Sequence, residues 1–130
     1  MVDAIMAAFS DGADAVAAAI LLQSGIADFN RWHEDGGVIL KIGLHQGSCF
    51  AVTTDGRLDY FGSMVNLAAR FQGESRGGDI VLSTEMIESA GPNDQIEGAE
   101  EFELVQDSGH LSGFDNPITY WRMMERSGIP

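Results

Sequence analysis

The sequence has 130 residues, of which 45% are hydrophobic, enough for one globular domain around a single core. Seven basic against twenty acidic side chains give a net charge of −13, which argues against nucleic-acid binding by bulk electrostatics. An anionic substrate would need metal ions or a local cluster of the few positive groups.

The single cysteine, Cys49, excludes an internal disulfide bond and fits a reducing compartment. The N-terminus carries no basic, signal-like segment with a cleavage site. The apolar run from Ala15 to Leu22 is far shorter than the roughly 20 residues of a membrane-spanning helix. We therefore expect a single domain over residues 1–130, located in the cytoplasm and without a membrane segment in this chain.

The first part of the chain predicts a strand, a long helix and a second strand. Ala4 to Phe9 is a short apolar strand. Asp11 to Asp14 supplies the start of a helix that runs to about His33. Its core stripe is formed by Ala15, Ala18, Leu22, Ile26 and Phe29. Val38 to His45 is the second strand, and we interpret His45 as a core histidine with satisfied hydrogen bonds.

The remaining elements alternate around hairpins. Asp55-Gly56 is a turn between two strands, which predicts a hairpin. Two helices are predicted here, one from Ser63 and one over Thr84–Ala90. The predicted strands are Cys49–Thr53, Leu58–Phe61, Ile80–Leu82, Phe102–Val105 and Ile118–Met123. An acidic loop occupies 91–101. This order indicates an α+β fold with helices packed on a mostly antiparallel sheet.

The helix after Gly62 has an unusual outer face. With Ser63 as N-cap, an i, i+3, i+4, i+7 core face is formed by Met64, Leu67, Ala68 and Phe71. Asn66 and Arg70 project together from the opposite side. A solvated face is normally richer in charge, so this one is suited to being covered by a ligand or a partner. Spacing alone nevertheless favours an ordinary surface arginine beside an asparagine.

The residues themselves carry more information than their spacing. The segment "RLDYFGSMVNLAAR" closely resembles the D-x-x-G-x-x-V-N-x-A-A/S-R segment of class III nucleotidyl cyclases. That family converts a nucleoside triphosphate to a cyclic 3′,5′-monophosphate and pyrophosphate. Further segments are similar to the family in collinear order: "VDAIMAAF", "LKIGLHQG", "GGDIVLS" and "LSGFDNPITYW". The resemblance covers nearly the whole chain.

The resemblance implies roles for four residues. Asp59 matches the base-recognising position, where a carboxylate accepts a hydrogen bond from the exocyclic amine of adenine. Asn66 matches the residue that positions the ribose, and Arg70 the one that stabilises charge on the phosphates in the transition state. Asp3 matches one of two carboxylates that hold two Mg²⁺ or Mn²⁺ ions. One metal would activate the 3′-hydroxyl group and the other neutralise the triphosphate.

The sequence also departs from the family pattern. The F-x-D-x-x-G-F-T strand, which supplies the other metal carboxylate and the triphosphate-binding amides, is absent from the 130 residues. Val2 stands where the family has glycine, and the base-partnering lysine upstream of Asp3 is missing. Lys41, the one lysine, lies in a different strand. About half of a catalytic set is present, as expected for a fragment or a misplaced start codon.

The resemblance implies a ferredoxin-like cyclase fold, here without its first strand and the helices that follow that strand. Two such domains pair head to tail in the family, with the active site between them. We expect an adenylate-type domain that makes cyclic AMP from ATP as a homodimer, with this chain alone inactive. A degenerate, non-catalytic dimerisation or regulatory module is the alternative. A small α+β ligand-binding domain with a superficial likeness is a third.

Overall fold

The computed structural model describes residues 7–32, 37–46, 50–54, 57–61, 63–91, 96, 98–111 and 115–126, with only the backbone described for 50–66. The three helices are α1 (Gly12–Arg31), α2 (Ser63–Gly73) and α3 (Thr84–Ala90). The strands are β1 (Ile42–Leu44), β2 (Phe50–Thr54), β3 (Arg57–Phe61), β4 (Ile80–Ser83), β5 (Phe102–Gly109) and β6 (Ile118–Glu125). A 3-10 turn, Ala99–Glu101, precedes β5.

The main sheet has four strands in the order β1-β4-β6-β5. β1 is parallel to β4, whereas β4–β6 and β5–β6 are antiparallel. β2 and β3 form a separate antiparallel hairpin in which Phe50 lies opposite Phe61 and Thr54 opposite Arg57. The predicted hairpin and the mixed α/β fold with a mostly antiparallel sheet are therefore confirmed.

All four residues of β4 are buried, because helices cover both faces of this sheet. Ile80 and Leu82 belong to a core cluster with α1 and α3. Val81, between them, belongs to a second cluster with Phe71 of α2 and Tyr120 of β6. This alternation places α1 and α3 on one face of the sheet and α2 on the other.

Helix α1 begins as predicted, because the Asp11 side chain accepts a 2.8 Å hydrogen bond from the Ala13 amide. Its buried stripe differs from the prediction, and consists of Gly12, Ala15, Val16, Ala19, Ile20 and Gln23. Leu22 and Phe29 are 56% and 43% exposed, so their assignment to the core was wrong. Gln23 takes the inward position because its amide donates to the carbonyls of Leu40 and Asp79 at 3.0 and 2.7 Å.

Among the described residues, α1 is the one helix with the length and hydropathy of a membrane span. A third of its most apolar window is buried inside the protein, and the buried residues form the core described above. The helix is therefore packed as a core element of the domain.

Two predicted strands are corrected. Ala7 to Phe9 is not a strand, and the rest of that predicted element lies outside the described residues. The strand predicted from Val38 to His45 is confined to β1. The backbone of Val38 instead exchanges hydrogen bonds of 2.7 and 2.8 Å with the Asn30 side chain. β5 and β6 extend beyond their predicted ends because they pair along eight residues each.

Candidate active site on helix α2

The hairpin and α2 bring the predicted site residues onto one strand–helix unit. Asp59 lies in the middle of β3, opposite Val52. Asn66 and Arg70 lie on α2, which contacts β3. Their four-residue spacing places them one turn apart on one face of the helix. The side chains of Asp59 and Asn66, and the whole of Asp3, lie outside what the structure describes.

Arg70 is the predicted site residue whose side chain is described. It is half-buried, in the last turn of α2. Within the described residues its guanidinium has no hydrogen bond or ion pair, whereas Arg31 pairs with Asp28 at 3.5 Å and Arg122 with Asp79 at 2.6 Å. A half-buried guanidinium left unpaired in a chain of charge −13 is available to bind an anion.

The position of α2 depends on a glycine in β1. A Cβ atom added at Gly43 would lie 2.2 Å from the Gln72 amide nitrogen and 2.5 Å from the Ala68 carbonyl oxygen. Both are backbone atoms, so no side-chain movement relieves the overlap. The helix turn that carries Arg70 therefore rests directly on the backbone of β1.

The residue after Arg70 anchors the same turn to the core. The Phe71 side chain is 1% exposed. Its ring lies between those of His45 and Tyr120, with centroids 5.9 and 6.0 Å away and tilted planes. Because α2 is held at consecutive positions, packing fixes where the backbone of Arg70 lies and from which face of the helix its side chain projects.

His45 behaves as the sequence predicted, as a buried residue with a hydrogen-bond partner. Its Nδ1 atom lies 2.7 Å from Ser83 Oγ, which also accepts the Met86 amide and caps α3. Burial lowers the pKa of His45, and the Glu85 carboxylate, 3.7 Å from Nδ1, opposes that shift only in part. His45 is therefore neutral near pH 7 and supports the packing around Phe71.

A buried ion pair holds the turn that follows α2. Arg122 Nη1 lies 2.6 Å from Asp79 Oδ2, and both side chains are at most 6% exposed. The same nitrogen donates to the Glu74 carbonyl oxygen at 3.1 Å, and Nη2 donates to Asp107 at 3.3 Å. Asp79 also accepts hydrogen bonds from the Ser75 hydroxyl and, at 3.1 Å, from the Arg76 amide.

The electrostatics of this pair favour both charged forms. Burial by itself raises the pKa of Asp79, but the hydrogen bonds from Ser75 and Arg76 and the Arg122 guanidinium outweigh it, so the pKa is lowered. Burial likewise works against the Arg122 cation, but the Asp79 and Asp107 carboxylates raise its pKa above the ordinary value.

Sequence reasoning missed this pair. The available signal was an arginine in the otherwise apolar run "ITYWRMM" and an aspartate directly before the buried strand "IVLS". A charge inside one apolar strand and another directly before a buried strand indicate a buried pair, since an unpaired charge is rarely tolerated there.

The described residues offer no metal centre, because no group of three or more His, Cys, Asp or Glu side chains converges among them. Asp3, the one predicted metal ligand, lies outside the described part of the chain. The described residues therefore do not by themselves form a binding site for two divalent ions.

The sequence and the fold of this chain are both similar to those of known proteins. The chain is 26% identical over 121 residues to "Putative adenylate cyclase 3" of Rhizobium meliloti, covering 92% of this chain and 19% of that protein. The crystal structure of the adenylyl cyclase CyaB from P. aeruginosa superposes with a TM-score of 0.67 at 19% identity, covering 97% of this chain and 65% of that one.

A third similar protein is the guanylate cyclase domain of RhGC from Catenaria anguillulae, solved in complex with GTP. Its TM-score is 0.59 at 22% identity, covering 88% of this chain and 60% of that one. The chain thus spans about two thirds of the solved cyclase domains and about a fifth of the curated relative. The family model "Adenylate and Guanylate cyclase catalytic domain" matches residues 7–123, and with this match the chain belongs to the class III adenylate and guanylate cyclase catalytic domains.

Proposed function

We propose that this chain supplies the base-, ribose- and phosphate-contacting half of an adenylate cyclase site that forms between two catalytic domains in the cytoplasm. The observation that carries the proposal is Arg70, half-buried and unpaired among the described residues. It lies one turn beyond Asn66 on a helix that follows the strand of Asp59, in a chain of the cyclase family.

ATP is the substrate that this half-site suits. The carboxylate of Asp59 accepts a hydrogen bond from the exocyclic amine of adenine, whereas guanine presents a carbonyl oxygen at the corresponding position. The relative from Rhizobium meliloti is named as an adenylate cyclase, which agrees with this choice.

The reaction joins the ribose 3′-oxygen to the α-phosphorus and breaks the bond from that phosphorus to the departing pyrophosphate. Negative charge increases on the phosphate oxygens in the transition state. Arg70 presents a fork of N–H donors to those oxygens, and Asn66 holds the ribose so that the 3′-oxygen faces the α-phosphorus. Arg70 has no partner among the described residues, which leaves its donors available for this task.

The proposed complete site includes two Mg²⁺ or Mn²⁺ ions, whose charge would favour ionisation of the 3′-hydroxyl group and would neutralise the triphosphate when they are bound. Asp3 would hold them from this chain together with a second carboxylate of the completed domain. Because the F-x-D-x-x-G-F-T strand with the second carboxylate is absent from the 130 residues, we expect the 130-residue chain alone to be inactive. A non-catalytic dimerisation or regulatory module remains the alternative function for the same reason.

Complementation between variants of the N-terminally completed homodimer tests the proposal. Asp3→Asn and Arg70→Ala each abolish cyclic AMP production alone, through lost metal binding and lost transition-state stabilisation. Mixed, they regain part of the activity, because one interface of the heterodimer combines the intact Asp3 of one chain with the intact Arg70 of the other.

The matched control mixes Asp59→Ala with Arg70→Ala. These two residues belong to the same half-site, so every interface in that heterodimer carries a lesion and activity stays low. Failure of the first pair despite heterodimer formation contradicts the shared site. Complementation by the control pair as strong as by the first contradicts the assignment of Asp59 and Arg70 to one half.

A further inference from the structure

We propose that the buried Asp79–Arg122 pair is a positioning device for Arg70, which locks the turn after α2 and so fixes the direction of the guanidinium. This inference rests on the proposed function, because it assigns the pair a role in the reaction of that site. It concerns two residues that contact no substrate themselves.

One of the two terminal guanidinium nitrogens of Arg122 is directed at the end of α2, while the other donates to Asp107 in β5. One guanidinium nitrogen reaches both the Glu74 carbonyl oxygen and the Asp79 carboxylate, at 3.1 and 2.6 Å. Asp79 in turn receives the Arg76 amide and the Ser75 hydroxyl. The pair therefore binds the backbone on both sides of the turn over residues 74–79.

The end of α2 is tightened at the same place. The Glu74 and Ser75 amides donate to the carbonyls of Phe71 and Gln72 at 3.0 and 3.1 Å, which is the 3-10 pattern of a closing helix turn. Arg70 immediately precedes these residues. A shift of the turn is transmitted to Arg70 because only three residues separate it from Glu74.

Stability alone does not account for this arrangement. A buried ion pair is often replaced by apolar residues of similar volume without loss of stability. Here the pair satisfies backbone groups of one particular turn, and a further contact, from Tyr120 Oη to the Glu74 carboxylate at 3.4 Å, reaches the same turn from β6. The contacts converge on the turn that directly follows the helix carrying Arg70.

The test separates positioning from folding with the double variant Asp79→Leu/Arg122→Met, which removes both charges and keeps apolar volume. In the 130-residue chain, amide hydrogen exchange at Arg76 is expected to accelerate about tenfold relative to the amides of α1. Arg126→Met is the matched control, because the Arg126 guanidinium donates to the Glu100 carbonyl at the surface and leaves the turn alone. The control should leave the Arg76 exchange rate unchanged.

The second measurement is kinetic and uses the N-terminally completed homodimer. A displacement of about 1 Å at a reacting group costs on the order of 100-fold. The double variant is therefore expected to lose about 100-fold in kcat with KM for ATP changed less than about threefold. Mixed with Asp3→Asn, the double variant should regain activity, whereas mixed with Arg70→Ala it should not, because the pair and Arg70 act in the same half-site.

The outcomes distinguish this inference from the proposed function. Unchanged Arg76 exchange, or full kcat in the double variant of an active homodimer, overturns the positioning role and leaves the cyclase site standing. Equal recovery of activity in the two mixtures shows that the pair acts outside the half-site of Arg70 and also overturns it. A completed parent homodimer that makes no cyclic AMP refutes the proposed function and with it the catalytic role of the pair.

Discussion

The substitution Gly43→Ala tests how closely α2 depends on β1. The new Cβ atom would lie 2.2 Å from the Gln72 amide nitrogen, where ordinary contact begins at 3.4 Å. The helix must therefore move away by roughly 1 Å, since both close neighbours are backbone atoms. Overpacking of this kind costs about 1–3 kcal/mol, a substantial part of the roughly 5–15 kcal/mol of a typical domain.

Urea unfolding followed by circular dichroism measures this cost. With a slope of about 1–3 kcal/mol per molar for a small protein, the midpoint is expected to fall by about 1 M. Gly25→Ala is the matched control: it lies inside α1 with nothing within 4 Å of the added Cβ atom. That change should raise the midpoint, since alanine in a helix interior stabilises by about 0.5–1 kcal/mol over glycine. Equal effects of the two substitutions would refute the close approach of α2 to β1.

Three further outcomes follow from the same structure. Arg122→Met alone should lower the free energy of unfolding by about 3–5 kcal/mol in urea titration, because it leaves the Asp79 charge buried, and Arg126→Met should have little effect. Since burial lowers the pKa of His45 and the hydrogen bonds and Arg122 lower that of Asp79, the unfolded state binds more protons. Stability should thus fall as pH drops below 6.5 and again below 3.8, and Asp79→Asn should make the second decrease smaller, leaving the part due to Asp107, whose pKa is also lowered. The 130-residue chain with ATP and Mn²⁺ should form no cyclic AMP by chromatography, and clear product would contradict its expected inactivity.

Local signals were sufficient for much of the fold. Helix caps and tight turns are recognisable from a few neighbouring residues of the sequence. The elements next to three such signals, the Asp11 cap, the Asp55-Gly56 turn and the Ser83 cap, are as predicted. The bounds of α3 agree with the prediction at both ends. The core-facing residues of α1 were predicted less well, because apolar periodicity shows that a helix has a buried face but does not define the rotation of that face about the helix axis.

The errors trace to partners distant in sequence. Gln23 faces inward because it bonds to Leu40 and Asp79, and neither partner is visible in the pattern of α1. Val38 leaves the predicted strand because Asn30, eight residues earlier, satisfies its backbone. The pairing of Asp79 with Arg122 spans 43 positions and depends on the register of β4 with β6. Such contacts become predictable only once the strand order is known.

The candidate site residues were predicted from family resemblance and not from local structural signals. Asp59, Asn66 and Arg70 were selected by resemblance to a family motif, and spacing alone favoured an ordinary surface arginine. The structure adds that the Arg70 side chain is half-buried and unpaired among the described residues, which spacing could not reveal. The roles of Asp3, Asp59, Asn66 and Arg70 stay predictions until the complementation experiment is done.

The contacts that hold α2 explain how the proposed half-site could form in a chain that spans about two thirds of the solved cyclase domains. Gly43 supports the helix from β1, Asp79 binds its closing turn before β4, and Arg122 reaches that turn from β6. All three lie in the main sheet or next to it. The geometry of the Arg70 turn therefore follows from the four-stranded sheet, whereas the proposed metal site depends on Asp3 and on a carboxylate of the completed domain. Loss of activity in this chain alone would thus be a defect of metal binding, with the phosphate-contacting half intact.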